Sequence, residues 1–124
     1  MLGLAVLSSP TFAQASAGVC AVGDTVLWSC QNVNGKGGRV NSVLATVWVK
    51  PSATICDHRA EVRVSSHGNP RYRFWTPVNT GCSIYGSYLT VPVNETFPTG
   101  SSWVCVKNFV QGKQQGREMC IKLT

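Results

Sequence analysis

Six cysteines in a chain of 124 residues, set behind an uncharged apolar N-terminus, constrain this sequence more than any other feature. An even cysteine count in a small chain favours three disulfides, and disulfides persist in oxidising compartments. Residues 1–15 combine an apolar run, a Ser-Ser-Pro break, and small residues (Ala13 and Ala15) placed as in a leader-peptidase site. They are expected to be a signal peptide, although no Lys or Arg precedes the apolar run; an N-terminal strand of the folded domain is the competing reading. Cleavage would leave 124 − 15 = 109 residues (16–124), a single disulfide-bonded β domain. Nothing later in the chain offers an uninterrupted apolar stretch of about 18 residues, so no membrane span is expected. The expected location is secreted, either extracellular or periplasmic.

Inside that domain the pattern is one of strands. Sixteen of the chain's seventeen valines lie there and, with Thr and aromatics spread throughout, alternate with polar residues at period two. Turn-forming clusters separate about seven expected strands, over residues 25–31, 39–50, 58–65, 71–76, 83–93, 102–110 and 117–123. Short strands at this spacing imply an all-β fold, a small antiparallel sandwich or barrel stapled by three disulfides. Asn34-Gly35-Lys36-Gly37-Gly38 has the glycine content of a phosphate loop but no helix after it to hold a phosphate, so it is expected to be a hairpin turn.

The C-terminal hairpin can be read in register. If paired residue numbers sum to 225, Cys105 faces Cys120, Val104 faces Ile121, Val106 faces Met119, Trp103 faces Lys122, and Lys107 faces Glu118. The turn then falls at Gly112-Lys113, where a Gly-X pair suits type II′. Charge, apolarity, cysteines and turn agree on one register, which makes Cys105–Cys120 the firmest bridge. Cys56–Cys82 and Cys20–Cys30 follow by elimination and proximity. The order Cys30…Trp48…Cys105 resembles that of immunoglobulin domains, without their Asp-x-x-x-Tyr-x-Cys run. That resemblance implies a Cys30–Cys105 bridge between sheets, which the hairpin pairing excludes.

The chemistry on offer is limited. No two cysteines have Cys-x₂₋₄-Cys spacing, and His58 and His67 stand away from any cysteine pair, so neither metal nor cofactor is expected. Only the stretch containing His58, Glu61 and His67 has residue types for acid–base work, with arginines nearby, as in a ribonuclease-like hydrolase. Alternation puts Arg59, Glu61 and Arg63 on one strand face and His58 on the other, which favours a neutralised surface carboxylate over a catalytic one. Net charge is +6 with only 13% charged residues, and a basic exported domain favours an anionic polymer, a glycan or an acidic protein as partner. Arg71, Arg73 and Trp75 fall on one face if Tyr72 and Phe74 point inward. With Arg63 they form the candidate binding surface, since planar cations beside an indole suit phosphate, sulfate or carboxylate groups. The expectation is a non-catalytic binding module, adhesive, toxin-like, inhibitory or effector in character. A small hydrolase and a structural subunit of a secreted, oligomeric assembly are the alternatives.

Overall fold

A computed structural model describes residues 16–124. The signal-peptide reading of residues 1–15 lies outside the described residues. The strands are β1 (Ser16–Val22), β2 (Val26–Lys36), β3 (Arg39–Val49), β4 (Ile55–Ser66), β5 (Asn69–Trp75), β6 (Asn79–Ser83), β7 (Gly86–Thr96), β8 (Ser102–Val110), β9 (Lys113–Gln114) and β10 (Met119–Lys122). They form two antiparallel sheets: sheet A in the order β1-β2-β3-β7, and sheet B in the order β10-β8-β4-β5, with β6 also on β4 and β9 on β8. The fold is therefore all-β and sandwich-like, with ten strands among the described residues in place of the seven expected.

The core follows from alternation. Val43, Ala45 and Val47 of β3, Ala60, Val62 and Val64 of β4, Val91 and Val93 of β7, and Val104 and Val106 of β8 all point between the sheets and are buried. Burying each valine contributes on the order of 1.5–3 kcal/mol. A smaller cluster of Val26, Val47, Val49, Ile55 and Val110 closes one end. Sheet B overhangs its partner. Strand β7 ends sheet A opposite β4, and β5, beyond it, reaches the core through Tyr72. Phe74, paired with buried Val62, points inward yet stays exposed.

The extra strands have local causes. Strand β1 is small-residue-rich, and its pairing to β2 places Cys20 directly opposite Cys30. Residues 32–36, expected as turn, continue β2. Val33 and Gly35 face inward there, and a Cβ on Gly35 would sit 1.9 Å from the Arg39 carbonyl oxygen. The turn is thereby compressed to Gly37-Gly38.

All three expected disulfides form: Cys20–Cys30, Cys56–Cys82 and Cys105–Cys120. Each joins directly opposed residues on neighbouring strands of one sheet. The Cys30–Cys105 pairing implied by the immunoglobulin-like order does not occur. On a chain-entropy basis a bridge closing a loop of about 15 residues contributes roughly 3 kcal/mol.

The C-terminal register is as read for the pairs 103–122, 104–121, 105–120 and 106–119. Its turn is not. Gln111 and Gly112, with φ of 52° and 79°, form the two-residue turn, and Phe109 pairs with Gln114. Positive φ at both positions is the type I′ geometry, not II′. Pairing near the turn therefore sums to 223, and the chain shifts to 225 across Gln115–Glu118. That excursion drives Gln115 into the interior, fully buried. Its Oε1 accepts the backbone N–H groups of Asp24, Thr25 and Val26 at 3.0, 2.8 and 3.2 Å. Glu118 precedes the ladder of β10 and does not face Lys107. Lys107 stands opposite Glu61 instead, because β8 has β4 on its other side.

Candidate functional site

The outer face of sheet B collects the side chains that alternation denies to the core. Ala60, Val62 and Val64 point in, so Arg59, Glu61 and Arg63 point out. Cross-strand register then sets their neighbours. Glu61 lies between Trp75 on β5 and Lys107 on β8, Arg63 between Arg73 and Cys105, and Arg59 beside Phe109. Farther along, Trp103 faces Ser65 on one side and Lys122 on the other. The Lys122 ammonium sits 5.8 Å from the Trp103 ring centroid.

Of the residues expected to bind, the structure brings Arg63, Arg73 and Trp75 together. Arg71 is the extra residue of a β-bulge, between the pairs Val64–Tyr72 and Ser65–Pro70, and is exposed. Two of the guanidinium groups are already engaged. Arg63 donates from Nε and Nη2 to Glu118 Oε2 at 3.1 and 2.6 Å, and this hydrogen bond raises its pKa further. Arg73 donates from Nε to Glu61 Oε2, and Lys107 Nζ lies 3.9 Å from the other carboxylate oxygen. Glu61 is not the surface carboxylate that its strand position suggests; it is 2% exposed, covered by two cations and an indole.

Arg59 is the cation that sequence reasoning undervalued. Its Nε donates to the Thr76 carbonyl at 3.2 Å, and its guanidinium carbon lies 4.5 Å from the centroid of Trp75. Trp75 in turn packs on Phe109, centroids 5.4 Å apart and planes tilted by 40°, with Arg73 at 5.7 Å. One hydrogen bond and one stack thus fix the plane of Arg59. Among the described residues its terminal amino groups have no acceptor, so they remain available to a ligand. They border a groove of about 710 Å³ whose walls include Trp75, Phe109 and Val78, with Asp57, Thr80 and Gln111 as its polar groups. The only signal for Arg59 in the sequence was its spacing two residues before Glu61.

The acid–base candidates are not brought together. His58 points inward, opposite to Glu61. His67 sits in the β4–β5 turn with φ 52°, its Nε2 3.2 Å from Ser101 Oγ. It lies six positions beyond Glu61, about 20 Å of extended chain. His58 joins the two sheets. Its Nδ1 lies 2.8 Å from Ser87 Oγ and its Nε2 2.8 Å from Asn108 Oδ1. Asn108 Nδ2 reaches Ser29 Oγ at 3.0 Å and the carbonyls of Cys30 and Thr46 at 3.3 Å. Burial pushes the His58 pKa below its ordinary value, against the opposing effect of the Asn108 hydrogen bond, so the ring is neutral at pH 7. No cysteine among the described residues is free. No protein-family model matches the chain, and no curated protein matches it in sequence.

Proposed function

We propose that this is a secreted, non-catalytic binding module whose outer sheet B face grips an anionic partner: a sulfated, phosphorylated or carboxylated polymer or glycan, or an acidic protein surface. The observation that carries this reading is the Arg59 guanidinium, laid on Trp75 at 4.5 Å beside an open groove. A planar cation held by stacking loses little freedom on binding, and its donor edge suits a two-oxygen anion. Arg73 and Lys107 lie nearest to it, with Arg63 and Lys122 farther along the same face. Against Glu61, Glu118 and Asp57 of the groove, the cations of this face remain in excess. Three disulfides in a small all-β domain fit an oxidising, extracellular setting.

Dextran sulfate and polyphosphate are suitable probes, titrated against the oxidised protein at several salt concentrations. Arg59→Ala removes a charge-assisted contact worth about 1.5–3 kcal/mol and should weaken binding roughly 10–100-fold. The salt dependence should become shallower with it, since fewer ionic contacts are screened. Unchanged affinity for both polyanions in Arg59→Ala at low salt would remove this face from consideration.

A further inference from the structure

The outer face of the other sheet has the opposite character. In sheet A, cross-strand register aligns Val22, Trp28, Trp48 and Gly86 in one row, and Cys20, Cys30, Thr46 and Tyr88 in the next. Gly18, Asn32, Leu44 and Thr90 follow. These three rows carry no charged side chain, in a protein of net charge +6; Arg117 lies at their β1 margin, beside Cys20, Val22 and Trp28. Trp28 is 43% exposed, Trp48 52% and Tyr88 71%, a concentration of uncovered aromatic surface that a soluble domain does not keep without use.

We infer that this face is a second binding site, taking the neutral sugar rings of a polysaccharide. The geometry is that of a stacking platform. Trp28 and Trp48 stand directly opposite each other on adjacent strands, and Tyr88 lies diagonal to Trp48, about 7–8 Å away. Gly86, opposite Trp48, leaves no side chain beside that indole; a Cβ there would come within 3.4 Å of its Cε3. The platform spans two strand spacings, about 10 Å, the reach of a disaccharide. Aromatic rings bind the apolar faces of pyranose rings, and the hydroxyl and amide groups of Thr46, Thr90 and Asn32 lie in the same plane to meet sugar hydroxyls.

Charge selects this occupant. The rows themselves are neutral, and the cation at their margin, Arg117, borders Trp28 at the β1 end and not Trp48 or Tyr88, so the platform matches a neutral ligand, as the cationic face of sheet B matches an anionic one. A second copy of the chain fits less well. Permanent dimer interfaces are apolar through their centre, whereas hydroxyls and amides interrupt this one, and two copies would bring together twelve net positive charges. The inference is independent of the reading given to Arg59 and rests on different residues.

The test is retention of the oxidised protein on insoluble neutral polysaccharides (cellulose, chitin and curdlan) at high salt, where ionic contacts are screened. Wild type should be retained on at least one of them, equally well at low and high salt. Trp48→Ala and Tyr88→Ala should each weaken retention roughly tenfold, the loss of one stacked ring. Tyr88→Ala should also melt as wild type does, because its ring is mostly in solvent. Arg59→Ala should be retained normally while losing dextran sulfate, and Trp48→Ala the reverse, which separates failure of one site from failure of the other. Absence of retention on all three polymers overturns the inference. So does a concentration-dependent dimer in sedimentation that Tyr88→Ala dissociates, or retention on neutral phosphatidylcholine vesicles that Trp48→Ala abolishes.

Discussion

Replacing Gln115 tests whether a single amide holds the β1–β2 connection to sheet B. Its Oε1 is the acceptor for three consecutive backbone N–H groups, those of Asp24, Thr25 and Val26. Val26 is fully buried, so its N–H has no access to water once the acceptor is gone. One buried orphan donor costs about 1–3 kcal/mol. Asp24 and Thr25 are exposed, so water replaces part of what their N–H groups lose, which brings the total for Gln115→Ala to about 2–4 kcal/mol. At roughly 4 °C per kcal/mol for a domain of this size, the melting temperature should fall by about 8–16 °C. Thermal unfolding of the oxidised protein, followed by circular dichroism, reads this directly. Two further variants isolate the cause. Gln115→Leu fills the space without an acceptor and should lose nearly as much stability as alanine. Gln115→Glu keeps an acceptor and should lose much less. If Gln115→Leu melts with wild type while Gln115→Ala does not, the residue fills a void and the hydrogen-bond argument is refuted.

The remaining predictions concern pH, a bridge and an indole. His58 is neutral when folded, with a pKa below 6.5, whereas the unfolded chain protonates near 6.5. Its contribution to stability is therefore complete above about pH 6.5 and is lost as pH falls toward the folded value. The melting temperature of wild type should decline from pH 7.5 to 5.5 more steeply than that of His58→Gln. Removing Cys105–Cys120 by paired serine substitution should cost roughly 2–5 kcal/mol in denaturant titration. Trp75→Ala should reduce polyanion affinity at least as much as Arg59→Ala, because the guanidinium loses the surface that orients it; an affinity equal to wild type would show that Arg59 is not held by the stack.

How far the sequence reaches is clearest at the C-terminal hairpin. Cys105 with Cys120, Trp103 with Lys122, and the valines with Met119 and Ile121 all asked for the same register, and that register formed. The turn escaped because its position depends on Gln115. That residue leaves the ladder for acceptor duty toward residues about 90 positions earlier in the chain. No local pattern encodes such a partner. Glu61 illustrates the same limit. Alternation placed it correctly on the outer face, but its burial arises from Trp75, Arg73 and Lys107, contributed by two other strands. Arg59 was legible as a same-face cation and became a candidate for binding only once β5 brought Trp75 beneath it. Strand β1 was hidden by composition: small residues following an apolar N-terminal run read as a cleavage junction, and only pairing through Cys20 and Cys30 makes them a strand.

The placement of bridges and prolines has a consequence for how copies of this chain meet one another at high concentration. Among the described residues the main paths of the two sheets end in β1, β7, β10 and β5, whose outer backbone groups are the natural recruiting sites for foreign strands. Strands β1 and β10 are each stapled to their inner neighbour, at Cys20–Cys30 and Cys105–Cys120. Strands β7 and β5 carry Pro92 and Pro70, which offer no N–H to an incoming ladder. These four strands are thus guarded, two by covalent clamps that fail under reductant and two by residues that do not; the short β6, also paired to β4, carries a clamp of its own at Cys56–Cys82. Reduction would leave β1 and β10 able to peel away and exchange between molecules while the valine interior still holds, so the first symptom of a reducing environment would be tangled oligomers, not unfolded monomers.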